Sequence, residues 1–450
     1  MTGTVPIDRA NDADRVFLAM DRGPVPEQFG VVLVLGRALT VADCARLLSE
    51  RAVTVPRLRQ RLVRTPPGCG GPVWADDPAF DPRRHLATIR WPAPGDDREL
   101  AGVVLPEVLR PLPRDRPLWR AVLIEGRPGG GCALALIAHH VLSDGLGGLA
   151  MLGRLVDGAP PAAAPPLLPA SATSPGAASP RPGTRRLAAD AWHSRFVALR
   201  SAPARLRRLR TAMGAGGGLR PARVPDCSLL GVTGAHRRAV VVRVSLPALR
   251  DAAHRWDAGV NAALLVAVAE ALRRLLDRRG ETVSRVTMAV PVGTPRPPGE
   301  TAGNAVTPLV VTVPATGPRS QRLARVAAEI RRRRAEAAGP APVTVLGGAF
   351  RLLAALGAYR WYMTRQRRLH TLVSHVRGPA APVCLGGAPV RDMIPIVVGG
   401  ASNVTVMFVA LSYLDSLTVT VVADPDRCPD LDALATLLSA ELATLARAAD

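Results

Sequence analysis

One stretch of the sequence, GAPPAAAPPLLPASATSPGAASPRPGTRR (158–186), divides the chain into two halves. Proline, alanine and serine dominate it, and no apolar period of helix or strand survives there. Such a composition is typical of an extended linker. The chain has 450 residues, which fits two large domains or three small ones. We therefore predict an N-terminal domain (1–157), a linker (158–186) and a C-terminal domain (187–450).

Segments with strand and helix patterns alternate on both sides of the linker. In the first half, strand-like runs are FGVVLVLG (29–36), PLWRAVLIEG (117–126) and CALALIAHH (132–140), and helix-like runs are 39–56 and 143–158. In the second half, strands are expected at 237–249, where the strand ends in a turn, and at 416–425. Helices are expected at 187–212, 259–280, with Asn261 as N-cap, and 430–449. This alternation predicts two α/β domains, whose strand order the pattern does not determine.

The chain is strongly basic, with a formal charge of +22, and all of its basic residues are arginine. One explanation is an anionic partner such as nucleic acid, a membrane surface or a phosphorylated cofactor. The other is coding bias in a GC-rich genome, which enriches Ala, Arg, Gly and Pro together. Aromatic residues make up 3% of the chain, too few for base stacking, and no nucleic-acid module is recognisable. We therefore expect no nucleic-acid partner.

The six cysteines are scattered without a C-x-x-C pair, which favours free thiols in a reducing cytoplasm. The N-terminal MTGTVPIDRANDADRVF lacks the apolar core of a secretory signal. The longest uncharged stretch, near 393–414, is interrupted by Gly-Gly and Ser-Asn, so we predict strand, turn and strand rather than a membrane span. A cytoplasmic location follows, with peripheral contact at the inner membrane or lipid inclusions left open.

Two adjacent histidines, His139 and His140, end the apolar run in ALALIAHHVLSDGLGG (133–148). Neighbouring residues on a strand point to opposite sides, so one histidine can face a cleft while the other packs inward. A neutral imidazole can take a proton from a hydroxyl at neutral pH. Asp144 can fix a tautomer or hold the loop through an arginine, and Gly145 lets the turn bend where a side chain would clash.

Three other interpretations of the histidines are weaker. A purely structural pair does not account for the HH-xxx-DG combination. Adjacent strand residues diverge, so they chelate one metal ion poorly, in contrast to the i, i+4 histidines of a zinc helix. Ser143 as a nucleophile would be expected within a G-x-S-x-G elbow, which is absent from the sequence.

HHVLSDG (139–145) resembles the HHxxxDG signature of CoA-dependent acyltransferases, which peptide-synthetase condensation domains share. An ordered set of further segments resembles the bacterial wax ester synthase/diacylglycerol acyltransferase family over nearly the whole chain outside the linker. These segments are DRVFLAMDRGPVPEQFGVVLVL (14–35), WADDPAFDPRRHL (74–86), RDRPLWRAVLIEG (114–126), GVNAALLVAVAEALRRLL (259–276), GNAVTPLVVTVP (303–314), HTLVSHVRGPAAPVCLGGAPVRDMIPI (370–396) and 403–434.

The resemblance implies an α/β fold of two chloramphenicol-acetyltransferase-like domains. Each is a mixed sheet packed with helices, and a tunnel lies at their interface. His140 would be the general base that deprotonates an alcohol, which attacks the acyl-CoA thioester directly in a ternary complex. His139 would support the turn, and Asp144 and Gly145 would hold its shape. Candidate donors to the oxyanion or substrate are Asn261, Ser374 and Asn403. Acyl-CoA is a co-substrate, and we expect no cofactor or metal.

The sequence departs from the family pattern in places, including Ala262 where the family has Asp and His375 where it has Asn. The first hypothesis is transfer of a long-chain acyl group from acyl-CoA to diacylglycerol or a fatty alcohol, giving triacylglycerol or wax ester. The partners would be acyl-CoA, that alcohol, and an anionic membrane or lipid droplet at the periphery. The departures keep two alternatives open: acylation of a specialised-metabolite hydroxyl, or a weakly active lipid- or membrane-binding homologue.

Overall fold

A computed structural model describes residues 7–91, 97–127, 129–158, 182–200, 203, 223–293, 304, 306–336, 351–400 and 402–447. Strands and helices alternate through these ranges and form two six-stranded mixed sheets and a separate two-stranded sheet. This confirms the predicted fold class. Residues 159–181 of the predicted linker lie outside the described ranges, and its boundaries stay predictions.

The described elements up to residue 200 form most of one sheet, a separate two-stranded sheet and the helices around them. They are α1 (Asp12–Met20), β1 (Gln28–Leu35), α2 (Val41–Ala52), α3 (Pro56–Arg59), β2 (Gln60–Val63), β3 (Val73–Asp76), a 3-10 helix (Pro82–His85), β4 (Leu86–Arg90), α4 (Asp97–Leu109), β5 (Trp119–Glu125), β6 (Cys132–His139), α5 (Gly145–Leu155) and α6 (Thr184–Arg200).

The described elements of the second half form the other sheet and complete the first. They are β7 (Arg238–Ser245), α7 (Leu246–His254), α8 (Val260–Arg278), β8 (Arg285–Gly293), β9 (Val306–Pro314), α9 (Arg319–Glu336), α10 (Ala358–Met363), β10 (Thr371–Arg377), β11 (Cys384–Leu385), β12 (Ala388–Val397), β13 (Val406–Tyr413), β14 (Ser416–Ala423) and α11 (Leu431–Arg447).

The first sheet has the order β11-β12-β1-β6-β5-β4. β1 is antiparallel to β6 on one side and to β12 on the other, with Val32 opposite both Ala135 and Ile394. β12 lies more than two hundred residues beyond the linker, so the second half of the chain supplies a neighbour to the central strand of the first sheet. The strands of the first sheet carry apolar side chains on both faces, and helices or the second sheet cover these faces.

The second sheet has the order β7-β14-β13-β10-β8-β9. β10 lies between β8 and β13 and is parallel to both, whereas the remaining pairs are antiparallel. The Ala- and Leu-rich helix α8 is buried along most of its length and packs against α9, α11 and this sheet. Gly259 is its N-cap, so the prediction that Asn261 caps this helix is wrong, and Asn261 lies within its first turn.

The segment 246–254 forms α7 rather than the predicted turn. Ser245 accepts a hydrogen bond from the N–H of Ala248, and Pro247 lies in the first turn, where its missing N–H costs nothing. Among the described residues, no helix combines the length and the apolar composition needed to span a membrane.

Candidate active site

The corner between β6 and α5 carries the HHxxxDG residues. β6 ends at His139, and α5 begins at Gly145. Asp144 is the N-cap of α5, where its Oδ1 accepts the N–H of Gly147 at 2.8 Å. Capping satisfies one of the free amide groups of the first helical turn and fixes the direction in which the chain leaves the strand.

His139 is buried and points away from the cavity described below. Its Nδ1 accepts the N–H of Val141 at 2.9 Å, and its Nε2 lies 3.0 Å from Oδ2 of Asp21. Because Nδ1 is an acceptor, the neutral ring carries its proton on Nε2 and donates it to Asp21. His139 thus ties the corner to the turn after α1. Sequence reasoning missed Asp21, although it lies within the N-terminal segment that supports the resemblance.

His140 points into the molecule on the opposite side. Its N–H donates to the carbonyl of Glu27 at 2.9 Å, and its ring packs between Phe17 and Phe29, with centroid distances of 5.0 and 4.7 Å. Nδ1 is enclosed and has no hydrogen-bond partner among the described residues. The ring also lines an internal cavity, so Nε2 is the nitrogen that a substrate can reach.

The environment of His140 keeps its ring neutral. Burial lowers its pKa to about 3, and the adjacent His139 adds to this effect, while the Ser143 backbone opposes it. A ring with this pKa is uncharged at neutral pH, with a proton on one nitrogen and a free lone pair on the other. It is therefore ready to accept a proton from a hydroxyl that enters the cavity.

The cavity has a volume of about 820 Å³ and is lined mainly by apolar side chains of both halves of the chain. Its volume is near the upper end of the usual range for ligand pockets, roughly 300–1,000 Å³. Met151, Leu152 and Leu155 of α5 line one part, and Val397, Met407 and Val409 line another. The cavity thus offers an apolar surface on which a long hydrocarbon chain can pack.

β10 presents alternating faces, and this alternation sorts the predicted site residues. Leu372, Ser374 and Val376 line the cavity. His375 points to the other side, where its Nδ1 lies 2.5 Å from Oδ1 of Asn261. Burial lowers the pKa of His375 to about 4, with the charge of Arg377 adding to the effect. Asn261 and His375 therefore form a polar pair behind the strand, and neither lines the cavity.

Asn403 also lies away from the cavity. Its Nδ2 donates to the carbonyl of Gln366 at 2.8 Å, and its Oδ1 accepts Nε2 of the same residue at 2.8 Å. These bonds hold the loop before β13 against the segment that leads into β10. Of the three predicted oxyanion or substrate donors, the structure brings only Ser374 to the cavity that His140 lines.

Asn304 was not predicted as a site residue. Its Nδ2 donates to the carbonyl of His140 at 2.7 Å and to Oδ1 of Asp14 at 2.9 Å. Burial raises the pKa of Asp14 to about 6, against the opposing bonds from Asn304. Asn304 and Asp14 lie in the segments 303–314 and 14–35, which resemble the family. This resemblance was the one indication in the sequence that they could belong to the site. Asn304 connects the second half of the chain to the backbone of His140.

Gly145 is the first residue of α5, and its φ does not lie in the left-handed region. What this position requires is the absence of a side chain rather than an unusual backbone angle. A Cβ at this position would lie 3.0 Å from Cγ2 of Val376 on β10. The glycine thus lets the first turn of α5 approach the second sheet closely.

Two mixed sheets with a neutral histidine in the wall of the cavity between them define a two-domain acyltransferase of the HHxxxDG class. The comparisons narrow the class further. The family model of the wax ester synthase/diacylglycerol acyltransferase catalytic domain matches residues 11–264, and that of the family's C-terminal domain matches residues 302–446. The chain belongs to the wax ester synthase/diacylglycerol acyltransferase family.

Similar proteins include two from Mycobacterium tuberculosis. The protein tgs1, named a probable diacylglycerol O-acyltransferase, is 28% identical over 444 residues, which cover 95% of this chain and 91% of that one. Rv3087, given a similar name, is 34% identical over 206 residues, 44% of this chain and 40% of that one. This second match therefore spans less than half of either protein.

Solved structures show the same fold. The wax ester synthase/diacylglycerol acyltransferase from Marinobacter aquaeolei VT8 matches with a TM-score of 0.67 at 22% identity, covering 97% of this chain and 98% of that one. The first condensation domain of the calcium-dependent antibiotic synthetase matches with a TM-score of 0.64 at 21% identity, covering 99% and 97%. At these identities the likeness concerns the fold alone.

Proposed function

We propose that the protein transfers a long-chain acyl group from acyl-CoA to the hydroxyl of diacylglycerol or a fatty alcohol, with His140 as the general base. The observation that carries this proposal is the neutral imidazole of His140 in the wall of a large apolar cavity. Family membership supplies the class of reaction. The apolar lining supports long-chain substrates over small polar ones.

In the proposed reaction, Nε2 of His140 takes the proton of the acceptor hydroxyl while its oxygen attacks the thioester carbonyl. The oxygen–carbon bond forms, and the carbonyl electrons move to an oxyanion. Collapse of this intermediate breaks the carbon–sulfur bond, and the CoA thiolate receives the proton from His140. No acyl-enzyme forms, since His140 transfers only a proton.

Ser374 is the proposed oxyanion donor, because among the three predicted candidates it is the one in the cavity wall. A positioned hydroxyl donor of this kind contributes about 3 kcal/mol to transition-state stabilisation. The oxyanion also offsets the burial that disfavours a charged His140. The imidazolium forms at the moment when a negative charge develops beside it, so the two charges stabilise each other in the low-dielectric cavity.

Two departures from the family pattern, His375 and Ala262, lie outside the cavity lining. His375 faces Asn261 behind β10, and Ala262 is buried within α8. Neither of these two residues therefore changes the substrate-facing surface, which supports the long-chain acceptors over a specialised metabolite.

We also propose peripheral contact with an anionic membrane or lipid droplet from the cytoplasm. The support is a set of exposed apolar side chains on or near α6 and α10, alongside the net charge of +22: Trp192, Phe196, Leu199, Leu352, Leu356 and Trp361. The six cysteines are free, as suits a reducing compartment. Co-sedimentation with anionic phosphatidylglycerol vesicles and with neutral phosphatidylcholine vesicles tests this contact. We expect the protein to bind preferentially to the anionic vesicles, and equal binding would contradict the proposal.

The function is tested by incubating the protein with labelled palmitoyl-CoA and either diacylglycerol or hexadecanol, while free CoA and the ester product are followed. We expect turnover, and we expect His140→Ala to abolish it without loss of circular dichroism. His254→Ala, at an exposed position on α7, is the matched control and should retain activity. Full activity of His140→Ala would contradict the base, and acyl-CoA binding without turnover on any alcohol would support the weakly active homologue.

A further inference from the structure

Glu27 is a second ionisable group in the wall of the cavity that His140 lines. It follows Pro26 directly before β1, and its side chain is 6% exposed. Its N–H donates to Oδ1 of Asp21 at 3.1 Å, and its carbonyl accepts the N–H of His140 at 2.9 Å. These two backbone bonds fix Glu27 beside the general base.

The carboxyl group of Glu27 makes no hydrogen bond or ion pair within the described part of the chain. Burial raises its pKa to about 8, and the charge of Asp21 adds to this effect. At neutral pH the group therefore keeps its proton and presents an O–H donor to the cavity. A buried donor without a partner is unfavourable, so a ligand that accepts its hydrogen bond gains relative to one that does not.

The space around this carboxyl group depends on Gly400. A Cβ built at Gly400 would overlap Oε1 of Glu27, so the carboxyl group fits because residue 400 has no side chain. The preceding Gly399 approaches the side chain of Met407 in the same way. The surroundings of the carboxyl group are thus close-fitting, and Tyr359 is another polar residue of the same cavity wall.

We propose that Glu27 is a positioning residue for the acceptor, whose carboxyl group donates a hydrogen bond to an ester carbonyl of a glycerolipid while the free hydroxyl of that lipid meets His140. This inference rests on the proposed function and narrows its substrate class to ester-containing alcohols such as diacylglycerol. A fatty alcohol has a single oxygen, which His140 engages. A bound fatty alcohol therefore leaves the carboxyl group of Glu27 without a hydrogen-bond partner. A site built to hydrogen-bond a ligand discriminates against analogues that lack the acceptor group.

The test compares kcat/KM for diacylglycerol and for hexadecanol with the same palmitoyl-CoA. Glu27→Leu should lower the ratio of kcat/KM for diacylglycerol to kcat/KM for hexadecanol roughly 10-fold. The main cause should be a higher KM for diacylglycerol. Glu27→Gln should restore most of the ratio, because its amide N–H still donates. Glu50→Gln, on the exposed face of α2, is the surface control and should change neither value.

Gly400→Ala gives an independent perturbation, because it keeps the carboxyl group but displaces it. We expect the ratio to fall in the same direction as for Glu27→Leu. An unchanged ratio in Glu27→Leu would overturn the proposal. Equal losses with both acceptors would also overturn it, since the carboxyl group would then serve acyl-CoA, whose amide and thioester carbonyls share this chemistry.

The proposed function fails separately, if the wild-type protein has no turnover or His140→Ala keeps it. The same preference can then be measured as binding affinity for dioleoylglycerol against hexadecanol in the His140→Ala protein, with and without Glu27→Leu. A preference for the diacylglycerol that disappears with Glu27→Leu supports the positioning role even without catalysis. Equal affinities would overturn it.

Discussion

The acid limb of the pH profile is the sharpest test of the environment of His140. The perturbation is acidification from pH 7.5 to 5, with kcat/KM measured at each step. An imidazole with the ordinary pKa of about 6.5 would be neutral in about 3% of molecules at pH 5, and activity would fall about 30-fold. The pKa of about 3 for His140 leaves about 99% of the rings neutral at that pH. We therefore expect that protonation of His140 will not lower kcat/KM between pH 7.5 and 5.

The assay is CoA release at subsaturating diacylglycerol in detergent micelles, with circular dichroism recorded at every pH. The folded state must be checked because the pKa of His140 is lower in the folded than in the unfolded chain. Protons then bind preferentially to the unfolded chain below about pH 6.5, so this group makes the fold less stable as the pH falls.

A second group needs a control, because burial raises the pKa of Asp14 to about 6 and Asp14 is linked to the backbone of His140 through Asn304. The profile is therefore repeated with Asp14→Asn. An acid limb that disappears in this variant belongs to Asp14. A limb near pH 6.5 that remains in Asp14→Asn, with an intact fold, would refute the reasoning about His140.

Further predictions concern single side chains. Ser374→Ala should lower kcat roughly 100-fold with little change in KM, whereas Asn261→Ala should mainly lower the melting temperature; equal effects on kcat would contradict the assignment of Ser374. Arg322→Leu should reduce the free energy of unfolding in urea by about 1–3 kcal/mol, because Glu270 loses its 3.0 Å partner on α9 but keeps Arg273 and Arg274. Gly145→Ala should lower stability and activity, and Val376→Ala should restore both; failure of this rescue would mean that their contact is unimportant. Chelation with EDTA should leave the rate of CoA release unchanged, and a loss restored by added Zn²⁺ would contradict a metal-free reaction.

Local patterns predicted the elements and the corner around His140 well. The apolar period of CALALIAHH locates β6 to within one residue, and the Asp-Gly that follows it locates α5 to within three residues. Strand alternation also predicts that His139 and His140 diverge, which they do. These features depend on neighbours in the sequence, and the sequence alone contains that information.

The other site residues could not be predicted from local patterns, because their positions depend on contacts between distant segments. Whether Asn261, Ser374 or Asn403 reaches His140 depends on which face of β10 and which side of α8 meet the first sheet, and no local pattern specifies this. Asn304 and Glu27 were missed for the same reason, because a contact between distant segments gives each residue its position. The joining of β12 to β1 across the linker is the largest such contact.

The position of β12 in the first sheet has a consequence for biosynthesis. The ribosome makes β1 early, yet its antiparallel neighbour β12 ends only at Val397. At about 5–20 residues per second, the apolar edge of β1 waits roughly 20–70 s for this neighbour. An unpaired apolar strand edge can pair with another chain during that time. The nascent protein is thus exposed to aggregation for most of its translation, and chaperone supply or slower initiation should raise the yield of folded protein more than faster elongation would.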